Sequence, residues 1–424
     1  MKRVVFLLFA FCMIASSFFA CSPYTLISSP TEEHRETRII HVTAGEVPPS
    51  KVLHPLTENE LDAIPLASES MSEEALRGII LDFMKLSLTF RWQPTHSFSV
   101  TAGTKTEFKK NTVYGGIPYV SAMGNLYKWL PYYDHDTGLL DVAAIGNDPQ
   151  HVLGNHCASG VHAALSRVSN RLNWYSTAQM FRRNGCIPIG QYEYDEPATD
   201  YRSEQIKTTV YTERNGEQTM YRAYALLKPA DAVSYYNVNE GHVLLIEECH
   251  VTEKDGVIDG NESHVIFDDQ TSGTYYAKQE DGTEYQAQNG LRRRISFSKL
   301  FEKGYLPWTI PEFAGEDGIE SPAAESSLTG DATPEEILSS EIRCNYPVYT
   351  VTLSIIDSCG TELYRKEAPL TGTPILREVY SAKGLFSHIF LDKYSDAECR
   401  YYLSVRVSTG DVLPVGSGMI LPEV

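Results

Sequence analysis

The chain has 424 residues, which predicts two or three domains at about 150 residues each. Its hydrophobic share of 42% supports sizeable cores, so wholesale disorder and a fibrous repeat are excluded. With 36 Lys+Arg against 55 Asp+Glu the formal net charge is −19, and such a surface repels a polyanion; the one short basic run in the body, Arg292-Arg293-Arg294, is too small to reverse that, so no nucleic-acid partner is expected.

In chain order, Lys2 and Arg3 precede an apolar run from Val4 to Ala20, the basic-then-apolar order of a secretory signal. The run is short for a membrane span and ends in Phe18-Phe19-Ala20-Cys21. A small residue just before Cys at this point resembles a bacterial lipoprotein signal, with Phe18 in place of the usual Leu. The resemblance implies cleavage after residue 20 and lipidation of Cys21. The expectation is an exported protein held at the bacterial cell envelope by several acyl chains, since a single chain anchors only marginally.

Residues 21–66 are mixed in Ser, Thr, Pro and Glu with little periodicity, and read as a tether. Ser70-Met71-Ser72-Glu73 has capping-box spacing, and Leu76, Ile79, Ile80 and Phe83 form a helical stripe, which predicts a helix over 72–88. Residues 67–313 read as one aromatic-rich domain. Residues 314–340 are rich in Gly, Ser, Pro, Ala and Glu and read as a linker. From there the period changes to two: Tyr349, Val351, Leu353 and Ile355 alternate with polar residues, as do Tyr401, Leu403, Val405 and Val407. Residues 341–424 are therefore expected to form a small Ig-like β-sandwich.

Of eight Cys, Cys12 lies in the expected signal and Cys21 is the lipidation candidate. The other six are scattered without a CxxC, which excludes a zinc ribbon and a dense disulfide scaffold. Setting one aside as a nucleophile leaves an odd number, so some thiols stay unpaired.

Candidate chemistry centres on Gly154-Asn155-His156-Cys157-Ala158-Ser159-Gly160-Val161. Small residues precede a stripe of Val161, Leu165 and Val168, which puts Cys157 at a helix N-terminus. Unpaired N–H groups there favour the thiolate and stabilise an oxyanion. Downstream, Gly241-His242-Val243-Leu244-Leu245-Ile246 reads as a strand with His242 at its start. A further strand, His264 to Thr271, ends in polar residues that would orient the imidazole. Asp268 and Gln270 share one face of that strand and Asp269 takes the other. Gln270 or Asp268 is the expected third member.

Four segments in order resemble the NlpC/P60 branch of the papain-like fold: Gly116-Ile117-Pro118-Tyr119, Cys157-Ala158-Ser159-Gly160, Pro229-Ala230-Asp231 and Gly241-His242-Val243. The match covers roughly residues 112 to 275, in patches. His156 stands where the family prefers Asp, Ala158 is inserted, and Ala230 replaces a Gly. The resemblance implies an α+β fold with the Cys helix packed on an antiparallel sheet. It implies Cys157 as nucleophile, His242 as base and Tyr119 as a substrate or oxyanion contact. The substrate would be an amide bond in cell-wall peptides. The aromatic segment Leu126–Tyr133 reads as groove or as extra core.

No P-loop, GxGxxG or EF-hand spacing occurs, and neither cofactor nor metal is expected; His156 and His162 are poorly placed to share an ion. Two other readings fit the same residues: an inactive surface binding protein that keeps the fold, and a transglutaminase- or acyltransferase-like enzyme using the same Cys–His pair.

Overall fold

The computed structural model describes residues 55–422 apart from 103, 121–123, 147–148, 175, 181–184, 195–206, 238–239, 279–281, 316–317, 371–378, 387–388, 390 and 396–397. The expected signal, Cys21 and the first part of the expected tether lie outside the described residues. The rest of that tether is packed: a short helix, Glu58–Asp62, is closed by a reciprocal Thr57–Glu60 cap, and Leu56, Leu61 and Ile64 are buried.

Helix α1 spans Glu73–Thr89, within a residue of expectation. Ser72 caps it by accepting the Ala75 N–H at 3.2 Å, and its buried face carries Leu76, Ile79, Ile80, Phe83, Met84 and Leu88. Among the described residues a nine-stranded sheet follows. Its strands in chain order are β1 Arg91–Pro94, β2 Tyr114–Gly115, β3 Leu139–Leu140, β4 Ile187–Pro188, β5 Ala232–Asn237, β6 Glu240–His250, β7 His264–Lys278, β8 Glu284–Ser296 and β9 Leu306–Thr309. Their spatial order is β3-β1-β2-β8-β7-β6-β5-β9-β4. The central run β8-β7-β6-β5-β9 is antiparallel throughout. Helix α2, Cys157–Leu165, is buried along its whole length and packs on β6 and β7. The class is α+β, as the sequence implies.

The aromatic segment around Leu126 is core. Trp129 is fully buried, 5.0 Å from Phe90 and 5.2 Å from Trp92, ring centre to ring centre.

The C-terminal region has two antiparallel sheets around one core. Strands β10 Ala324–Ser326, β11 Glu341–Cys344 and β14 Tyr380–Ser381 form one sheet in the order β10-β11-β14. Strands β12 Val348–Ile356, β13 Glu362–Pro369, β15 Arg400–Val407 and β16 Val412–Met419 form the other in the order β13-β12-β15-β16. Residues 314–340, read as a linker, supply β10 and a capped helix, Pro334–Ser339. Ala332 and Ile337 sit in the core of this region, so a few well-placed apolar residues suffice to fold a polar stretch.

The two regions share buried contacts. Tyr349 of β12 belongs to the core beneath the large sheet and stacks on Tyr127 at 6.2 Å. The Ser408 hydroxyl donates to the Ser166 carbonyl at 2.8 Å, just past the end of α2. Gly410, at φ +101°, lies where a Cβ would stand 2.2 Å from Arg167 Nη1. Among the described residues no helix is long and apolar enough to cross a membrane.

Candidate active site

The start of α2 is built by a reciprocal cap. The Ser159 N–H donates to His156 Nδ1 at 3.3 Å, and the His156 N–H donates to Ser159 Oγ at 2.8 Å. His156 thus does what a capping Asp would do at the same position. Cys157 becomes the first helical residue, where backbone N–H groups have no intrahelical acceptor. Its thiol is fully buried and in no disulfide, and Sγ lies 3.9 Å from the Gly241 carbonyl oxygen. The sulfur therefore rests against the backbone immediately before His242.

The Gly116–Tyr119 segment is fastened beside that helix start. Gly116, at φ +67°, turns so tightly that a Cβ would stand 2.6 Å from the Leu88 carbonyl oxygen. The Ile117 and Pro118 carbonyls accept from Gln270 Nε2 at 2.7 and 3.2 Å. The Tyr119 N–H donates to Gln288 Oε1 at 3.0 Å. Tyr119 forms a parallel bridge with Asn155, two residues before Cys157. Gln270 also lies against α2: a Cβ on Gly160 would come 2.9 Å from its Oε1. Gln270 is thereby committed to joining the Gly116–Tyr119 segment to the helix. A small cleft lies on this segment, lined by residues that include Trp92, Tyr114, Gly116, Pro118, Gln286 and Gln288 but neither Cys157 nor His242.

The carboxylate that meets the imidazole is Asp269. His242 Nε2 donates to Asp269 Oδ2 at 2.7 Å, both side chains being buried. Asp268 instead accepts the Arg292 N–H at 2.8 Å. The expectation of Gln270 or Asp268 is overturned at this contact by a β-bulge. Strands β6 and β7 pair as His264↔His250, Val265↔Cys249 and Ile266↔Glu248, then shift to Phe267↔Ile246 and Asp268↔Leu245. Without the shift Asp268 would oppose Ile246, on the face of His242. With it, Asp268 opposes Leu245 and Asp269 comes to the His242 face, because a one-residue slip exchanges the two sides of a strand. The extra residue, Glu247, is buried and paired with Lys85 at 3.0 Å and with Arg292.

Val243 and Leu245 share a core with Cys157, whereas Leu244, Ile246 and the cross-strand partner Tyr235 belong to the other core. His242 leaves β6 with the second set. The contact between this strand start and the sulfur is the one made by the Gly241 carbonyl.

The third motif, Pro229-Ala230-Asp231, is an anchor. Ala230 adopts φ +64°, a conformation that favours the glycine usual in the resembled family. Asp231 takes Arg77 Nη1 at 2.8 Å, tying α1 to β5, and the same nitrogen donates to the Pro229 carbonyl at 2.5 Å. Burial pushes the Asp231 carboxyl up despite Arg77. His162, one turn into α2, is structural. Its Nε2 lies 3.4 Å from the Leu172 carbonyl and its Nδ1 3.2 Å from Ser166 Oγ, and burial pushes the ring down to about 4. Among the described residues no cluster of three or more His, Cys, Asp or Glu has the geometry to hold a metal.

No family model and no curated protein matches the chain. Among solved structures it is similar in part to dimeric latent PorU from Porphyromonas gingivalis, at 10% identity and a TM-score of 0.16. The match covers 46% of this chain and 16% of that one, an overlap that carries no argument about fold or activity.

Proposed function

We propose that the chain is an exported, lipid-anchored thiol hydrolase with an NlpC/P60-like, papain-like fold, cleaving amide bonds in cell-wall peptides. The observation that carries the proposal is the pairing of two buried features at one strand start. His242 holds Asp269 at 2.7 Å, and the preceding carbonyl receives the thiol of a cysteine at a helix N-terminus.

In the proposed reaction Cys157 Sγ attacks the substrate carbonyl carbon. His242 takes the thiol proton on Nδ1 while Asp269 holds Nε2 and stabilises the imidazolium. Helix N-terminal N–H groups, that of Cys157 first, stabilise the tetrahedral oxyanion, with Tyr119 beside them. The C–N bond then breaks, the amine leaves with the proton from His242, and water hydrolyses the thioester with His242 as base.

Cys157→Ala is expected to abolish fragment release from muropeptides while the melting temperature stays near wild type. Unchanged turnover in that variant ends the proposal.

A second reading, a surface binding protein, is favoured by the complete burial of Cys157 and its contact with a backbone carbonyl. Alkylation separates the two. In a hydrolase Cys157 reacts before the exposed Cys359 and slows in His242→Ala; in a binding protein Cys359 reacts and Cys157 does not.

A further inference from the structure

We propose that Arg293 is a positioning residue for the His242–Asp269 pair, closing the solvent side of the carboxylate and keeping Oδ2 aimed at the imidazole. This rests on the hydrolase reading for its catalytic consequence, though the geometry stands without it.

In sequence Arg292-Arg293-Arg294 reads as a small basic surface run. The structure turns its first two members onto carboxylates in different directions. Arg292 sits at φ +47°, in the left-handed region, where the β7–β8 ladder shifts between Phe267↔Arg293 and Asp269↔Gly290. Its N–H holds Asp268, and its guanidinium reaches Glu247 and Glu248. Arg293 therefore emerges on the face of Phe267 and Asp269. Its guanidinium carbon lies 5.6 Å over the Phe267 ring, and Nη1 stands 3.4 Å from both Asp269 oxygens.

Gly290 makes this possible. It is the ladder partner of Asp269, and a Cβ there would stand 2.2 Å from Arg293 Cδ and 2.3 Å from Asp269 Oδ1. The missing side chain lets the arginine fold down over the carboxylate. The Asp269 side chain is 2% exposed and that of Arg293 50%, so the guanidinium is the layer between the acid and water. At 3.4 Å and half exposed, the pair is solvent-screened and contributes little to stability. Its consequence is geometric. A carboxylate held from both sides keeps one oxygen on the imidazole, and the Nε2–H proton is shielded from exchange. Asp268, the chain neighbour of Asp269 on β7, is committed to the Arg292 N–H.

The test uses the full chain. The low-field proton resonance of His242 Nε2–H is assigned by its loss in Asp269→Asn, and its exchange with water is measured. Arg293→Ala is expected to speed that exchange about tenfold and to lower kcat on muropeptides about tenfold with KM unchanged. Arg293→Lys is expected to restore both to within about threefold, which loss of folding would not do. Exchange within about twofold of wild type in Arg293→Ala, or an unchanged kcat despite faster exchange, overturns the proposal. If the wild-type chain hydrolyses no muropeptide, the hydrolase reading fails by itself, and the proton measurement still decides whether Arg293 holds the pair.

Discussion

The two ends of helix Cys157–Leu165 are held in opposite ways. At the N-terminal end the partners come from the large sheet and the Gly116–Tyr119 segment: Gln270 against Gly160, Asn155 bridged to Tyr119, and the Gly241 carbonyl against Sγ. At the C-terminal end they come from the two-sheet region. Ser408 donates to the Ser166 carbonyl, and the Tyr346 hydroxyl donates to the Val168 carbonyl at 3.3 Å. A helix leaves N–H groups unpaired at one end and carbonyls at the other. Here the His162, Ala164 and Leu165 carbonyls accept backbone N–H groups of residues 166–169, and the Ser166 carbonyl takes the Ser408 hydroxyl of the second region. The N–H end is capped within the first region by His156 and carries the candidate nucleophile Cys157. One region thus carries the candidate chemistry and the other secures the element that carries it.

The largest expected effect tests the chemical end. Asp269→Asn should lower muropeptide turnover by roughly 10³–10⁴-fold with little change in melting temperature, because the imidazole loses its orienting acceptor. Asp268→Asn should instead act on stability, since Asp268 binds the Arg292 backbone; equal losses of turnover from both variants would refute the bulge-based assignment. Next comes the shared core. Tyr349→Ala should cost about 3–5 kcal/mol in urea denaturation. The wild-type chain should unfold in one transition, and two well-separated transitions would break the claim that the regions support each other.

A pH effect is the third. In the unfolded chain His162 takes up a proton near its ordinary value of 6.5, whereas the buried ring resists until about 4. The unfolded state therefore binds more protons across this window, and stability falls as pH drops through it, by up to about 3 kcal/mol. Denaturation midpoints of wild type and His162→Gln at pH 7.5 and 4.5 should converge or cross by that order; parallel curves would remove His162 as the cause. The smallest effect is Ser408→Ala, about 1 kcal/mol by denaturant titration with kcat unchanged.

Much of the frame was legible from local pattern. The stripe after Ser72 placed α1, and two-residue alternation placed β12 and β15. The small residues around Cys157 placed it at a helix start. The polar stretch 314–340 misled because its composition resembles a linker, while Ala332 and Ile337 pack only once the two sheets exist. The acidic partner of His242 was also missed. Its signal was present only indirectly, in the adjacent pairs Glu247-Glu248 and Arg292-Arg293, where strict alternation would send one charge of each pair to a buried face.

The amino-acid order alone determined which residues were available for chemistry and which elements carry them, because helix caps and strand periods are short-range properties of the chain. Tertiary structure alone decided which acid faces His242 and what covers it. Strand pairing is a long-range match, and the extra residue at Glu247 shifts it by one. In a sheet with two buried faces, a shift of one position exchanges every side chain from one core to the other.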